Sequence, residues 1–80
     1  MSVRRLGRPH RTQVRPGAGG SPAELSGECV DAVLEEWVVE DRWWTAVPVR
    51  RRYFELVLAG GRNAVVFRDL ATGAWFEQRG

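Results

Sequence analysis

The chain has 80 residues, of which 44% are hydrophobic, with twelve arginines, no lysine, ten acids and a formal net charge of +2. That length allows one small domain with a modest core. A single cysteine, Cys29, excludes an intrachain disulfide, and with the single histidine, His10, it leaves too few ligands for zinc, so no metal or cofactor is expected.

Residues 1–27 carry five arginines against one acid, a balance of +4, whereas residues 28–80 carry seven arginines against nine acids, a balance of −2. The first stretch has hardly any hydrophobic periodicity and is broken by Pro9, Pro16, Pro22 and five glycines. Such a segment buries too little apolar surface to offset the entropy of ordering it, so a disordered basic tail over residues 1–27 is expected. A basic arm of this kind binds nucleic acid or acidic surfaces weakly and in a salt-dependent way, but is more often simply solvated. No apolar signal stretch comes after the N-terminal arginines, and no apolar run approaches the roughly 20 residues of a membrane span. Together with the free thiol, this points to the cytoplasm and away from membranes.

All eight aromatic residues fall between Trp37 and Phe76, so residues 28–80 are expected to form the domain. Over residues 33–41, Val33, Trp37 and Val39 share one face at period two, with Glu36 and Glu40 opposite; the first half also fits a helix, but Trp37-Val38-Val39 favours a strand. Pro48 marks a connection. Residues 50–59 alternate, with Arg52, Phe54, Leu56 and Leu58 on one face and Arg51, Tyr53, Glu55 and Val57 on the other. Gly60-Gly61 reads as a two-residue hairpin loop with both positions free to take positive φ. The next strand, residues 62–68, puts Val65 and Phe67 on one face and Ala64, Val66 and Arg68 on the other. Asp69 and Gly73 mark a second tight connection, Asp69 accepting turn N–H groups and Gly73 adopting a left-handed conformation, before a strand over residues 74–78. The expected fold is all-β: a small antiparallel meander of three or four strands, a short helix being the alternative for the first half of residues 33–41. Its exposed face has three solutions: the first segment folds across it, the sheet curls around Trp37, Phe54, Phe67 and Phe76, or a partner covers it.

Catalysis has little to work with. Ser21, Ser26, Cys29 and His10 lie at or before the expected domain start, the acid pairs Glu35-Glu36 and Glu40-Asp41 read as solvated surface, and Gly60-Gly61 is not followed by a phosphate-loop lysine. An enzyme is therefore not expected. What remains is binding through arginine and aromatic side chains, with Trp43, Trp44, Arg51 and Arg68 as the candidate contacts, because Trp and Arg dominate interface hot spots.

The series Trp43-Trp44, Pro48-Val49, Arg51, Tyr53-Phe54, Phe67-Arg68-Asp69, Gly73 and Trp75-Phe76 resembles a small actinobacterial family of uncharacterised proteins. It is also similar to the C-terminal segment of ImuB-type inactive Y-family polymerase homologues, over about residues 35–78. That resemblance implies a non-catalytic adaptor in DNA-damage tolerance, and no catalytic residue goes with the matching segment. The expected function is a protein-interaction module with an unidentified protein partner. The alternatives are a single-stranded nucleic-acid binder, its bases stacked on the rings and its phosphates held by arginines, and self-association through the sheet.

Overall fold

The computed structural model describes residues 8–41 and 49–78. Seven strands run in chain order: β1 (His10–Arg11), β2 (Val14–Pro16), β3 (Pro22–Leu25), β4 (Glu28–Asp41), β5 (Val49–Leu58), β6 (Asn63–Asp69) and β7 (Trp75–Gln78). All pair antiparallel, in the spatial order β1-β7-β6-β5-β4-β3-β2. The fold is thus all-β, with seven strands where three or four were expected, and no helix among the described residues is long and apolar enough to cross a membrane.

The additional strands come from the segment expected to be disordered, and over residues 8–27 that expectation is corrected. Arg11 pairs with Phe76 of β7, while Val14, three residues on, pairs with Leu25 of β3. Between them Thr12 N donates to the Trp75 carbonyl at 3.1 Å and the Gln13 carbonyl accepts from Ser26 N at 2.8 Å. One extended stretch therefore holds both ends of the sheet and curls it closed. The prolines sit where the ladder ends: Pro16 lies opposite Pro22, and neither has an N–H to donate. A 3-10 turn at Ala18–Gly20 joins them, with Gly19 and Gly20 at φ 70° and 80°.

Closure creates an inside and an outside. Inward-facing Leu25, Phe54, Leu56, Leu58, Ala64, Val66 and Trp75 form one buried cluster, joined by Val14 and Val30. Tyr53, Val65 and Phe67 form a second on the outer face, packed by Trp37, Val39 and Phe76. The sheet does curl, but not around one aromatic set: Phe54 is inside, whereas Trp37, Phe67 and Phe76 are outside; the first segment of the expected domain does not fold across the sheet but joins it as β4.

β4 departs from simple alternation. Its register against β5 shifts between Val30 and Ala32 and again between Val33 and Glu35, so Asp31 and Leu34 are extra residues. Each bulge bends the strand and reverses the parity of the residues beyond it. Val33 consequently lies opposite inward-facing Leu56, not on the face of Trp37 and Val39. The segment is strand throughout, and its helical alternative is not adopted.

The β5–β6 connection is also longer than expected. Leu58 N donates to the Arg62 carbonyl at 2.9 Å and Gly61 N to the Leu58 carbonyl at 2.8 Å, which makes a three-residue loop with only Gly61 at positive φ, 88°. A Cβ on Gly60 would meet Glu28 Oε2 at an ordinary 3.7 Å. Gly60→Ala is therefore expected to stabilise by about 0.4–1 kcal/mol through the unfolded chain, and Gly61→Ala to destabilise by about 1–2 kcal/mol through left-handed strain. Urea denaturation of the two variants checks the pair, and equal effects would contradict this loop geometry. In the β6–β7 turn Asp69 Oδ1 accepts from Ala71 N at 2.8 Å and Thr72 N at 3.2 Å, and Gly73 sits at φ 79°.

Candidate interaction surface

The four residues singled out from the sequence do not converge. Arg51 lies opposite Asp69 on the outer face, whereas Arg68 lies opposite Arg52 on the inward parity; Trp43 and Trp44 fall outside the described residues. The Arg51 Cζ sits 4.5 Å from the centroid of the Phe67 ring, and its Nη1 donates to the Tyr53 hydroxyl at 3.3 Å. Arg68 is exposed, its Nε donating to the Gly73 carbonyl at 3.3 Å and its Cζ lying 5.8 Å from the Trp75 ring. Both guanidinium groups thus support their own neighbourhoods.

Arg51 caps a continuous row of rings. Trp37, Tyr53, Phe67 and Phe76 are in register across β4, β5, β6 and β7. Their centroid separations are 5.2 Å, 5.0 Å and 5.1 Å, two of the three contacts stacked within 20° of parallel. Such spacings are attractive beyond their area burial. The two central rings are hidden, Tyr53 at 7% and Phe67 at 2% exposure, while Trp37 and Phe76 at the ends are half-buried.

Other arginines are engaged too. Arg52 Nε donates to Glu36 Oε2 at 2.5 Å and its Nη1 to the Gly19 carbonyl at 3.2 Å, with its Cζ 5.0 Å from the Phe54 ring; this ties β4 and the 3-10 turn to the core. Arg62 bridges Glu28 and the buried Glu77, with both contacts at 3.3 Å. The hydrogen bond to Glu28, opposed by burial and aided by Glu77, raises the Arg62 pKa. A raised basic pKa keeps the bridge's positive charge in place below the ordinary arginine range, to be lost only at still higher pH, so this bridge is insensitive to alkali in any usable range. Arg15 pairs with Glu24 across β2 and β3.

At the seam where the first segment changes partners lies an open groove of about 460 Å³, lined by Arg11, Thr12, Val14, Ser26 and Trp75 among others. The Thr12 and Ser26 hydroxyl oxygens are 3.0 Å apart there. The one carboxylate of the groove lining, Glu24, is paired with Arg15, and among the described residues no three His, Cys, Asp or Glu side chains come together as a metal site would require.

The exposed edge of β4 stands out instead. On one side β4 pairs with β5 from Val30 to Asp41; on the other, β3 reaches only Cys29 and Glu28. Among the described residues no strand covers the rest of that edge. Beyond the bulges, Glu35 to Asp41 run in unbroken register with β5, and Val38 is 54% exposed. Val33 and Leu34 add apolar surface at the bulge, with Leu34 at 53%. Over its 14 residues β4 carries six acids and no base. Along the sequence those acids read only as solvated charge. The lack of any intervening arginine, in a chain otherwise rich in it, was the available signal.

Compared with protein-family models, with curated proteins and with solved structures, the chain matches none.

Proposed function

We propose that this chain is a non-enzymatic protein-interaction module that docks its partner along the outer edge of β4. The observation behind this is the regular run of residues 35–40, beside which no second strand lies among the described residues and which carries exposed Val38. Extended segments add to such edges through main-chain hydrogen bonds, and flanking side chains select among them. Natural sheets usually blunt long edges with Lys, Pro or bulges. Here the two bulges lie at Asp31 and Leu34, and the next seven residues have no Lys, Pro or bulge, their only guard being carboxylates.

A nucleic-acid platform fits less well. Bases need open ring faces to stack on, but Tyr53 and Phe67 are buried within their own row, and the six acids of β4 repel phosphate. Trp43 and Trp44 follow the end of β4 in the sequence after Arg42 and stay proposed contacts. Arg51 and Arg68 are better understood through the bonds they make within the fold. The proposed setting, DNA-damage tolerance, rests on the resemblance of residues 35–78 alone.

The test compares affinity capture by the wild-type chain and by a Leu34→Lys/Val38→Lys variant. Both side chains are exposed, so the fold should persist, and equal melting temperatures would establish that it does. Partners retained by the wild type should be depleted at least about tenfold from the variant. Identical capture by the two proteins would leave the β4 edge without a docking role.

A further inference from the structure

We infer that the strand added to β4 is a basic extended segment of another protein, an inference that rests on the docking role proposed for this edge. Residues 35–41 present Glu36, Val38 and Glu40 on one face and Glu35, Trp37, Val39 and Asp41 on the other. That is four carboxylates and no cation in seven positions. Glu36 is held by Arg52, but among the described residues Glu35 and Glu40 form no ion pair.

Their neighbours across β5 sharpen the demand. Glu35 lies opposite another acid, Glu55, and not a base, so its own carboxylate is open to a cation brought beside it by an added strand. Glu40 lies opposite Arg50 without a salt bridge between them, which leaves its carboxylate able to meet a second cation. Between these two, Val38 offers an exposed apolar contact to one side chain of the incoming strand. The occupant that fits carries Lys or Arg at both ends of a short apolar centre, so that each face of the added strand brings cations to the acids and an apolar side chain between them.

A second copy of this chain fits worse. Antiparallel pairing of two β4 edges centred on Val38 sets Glu36 against Glu40 and Glu35 against Asp41, four like-charge oppositions per dimer. Acidic edges guard against self-pairing while accepting a basic strand, which is specificity by repulsion as well as attraction.

The experiment uses the full chain with two synthetic peptides, one with a pair of Lys at each end of a three-Val centre and the other with Glu in place of every Lys, read by anisotropy and by amide hydrogen exchange. The Lys peptide is expected to bind, to slow exchange in residues 35–41, and to weaken about tenfold or more when salt is raised or when Glu35→Lys and Glu40→Lys are combined. The doubly reversed variant should in turn favour the Glu peptide. Equal binding of the two peptides, with protection still at residues 35–41, would overturn the charge preference but leave the docking edge standing. Protection elsewhere, or none with either peptide, would overturn both. Protection of residues 35–41 that grows with protein concentration and needs no peptide would assign the edge to a second copy and overturn the inference.

Discussion

A chain that begins at Glu28 is expected to lose the cooperative unfolding transition of the full protein. Removing residues 1–27 takes away β1, β2 and β3, and with them Leu25, which is completely buried, and Val14. Truncating one such leucine to alanine costs about 2–5 kcal/mol, and a core of this size supplies only about 3–5 kcal/mol in all. The deletion also strips the outer edge of β7 and reopens the sheet over Phe54 and Trp75. Calorimetry together with near-ultraviolet circular dichroism of the tryptophans would measure the loss, and Leu25→Ala provides a graded version in the intact chain. A truncated protein that melts cooperatively at the full-length temperature would show that the first segment is an appendage after all. The consequence reaches function: this segment is not a detachable basic arm, and a change in binding on its removal would report unfolding before it reported charge.

The parts of the fold that could be read from the sequence are those where alternation runs undisturbed. β5 and β6 contain no bulge, so Phe54, Leu56 and Leu58 separate correctly from Tyr53, and Val66 from Phe67. Asp69 and Gly73 announce their turn because their chemistry is local. β4 misleads because two extra residues shift parity, and nothing in its composition marks Asp31 or Leu34 as bulged. β1, β2 and β3 are two to four residues long and stable only through partners in β4 and β7, so no window of sequence contains their cause. One loop residue matters most for the aromatics. A two-residue loop at Gly60-Gly61 would set Phe54 opposite Phe67, whereas the observed three-residue loop sets Tyr53 there and divides the rings between the inner and outer faces. The same register sends Arg51 and Arg68 to opposite faces, which is why two plausible hot-spot residues fail to make one surface. The β4 edge was hidden for a different reason: whether a strand is covered depends on the whole sheet order, which the strand itself does not encode.

Phe67→Ala is expected to destabilise the protein by about 3–5 kcal/mol, as for a deeply buried core phenylalanine. An outer-face residue of a single curled sheet would ordinarily be worth far less. Here Phe67 is 2% exposed, flanked by Tyr53 at 5.0 Å and Phe76 at 5.1 Å, and covered by the Arg51 guanidinium at 4.5 Å. Removing the ring therefore leaves a cavity between two aromatics and strands a cation that had rested on it. Trp37→Ala, at the half-buried end of the row, should cost less, because solvent already reaches that ring and can fill the gap. Denaturant titration of the two variants, with a cycle combining Tyr53→Leu and Phe67→Leu, separates the contributions; the cycle should return a coupling of about 0.5–1.5 kcal/mol. A Phe67→Ala protein as stable as the wild type would mean that the aromatic row is an open surface whose natural cover is a partner, and docking would then move from the β4 edge to the outer face. A large loss would instead make the row a second core, built because so small an interior cannot hold all the rings. It would leave β4, already braced from behind by Trp37 and Tyr53, as the rigid rail on which an added strand can form.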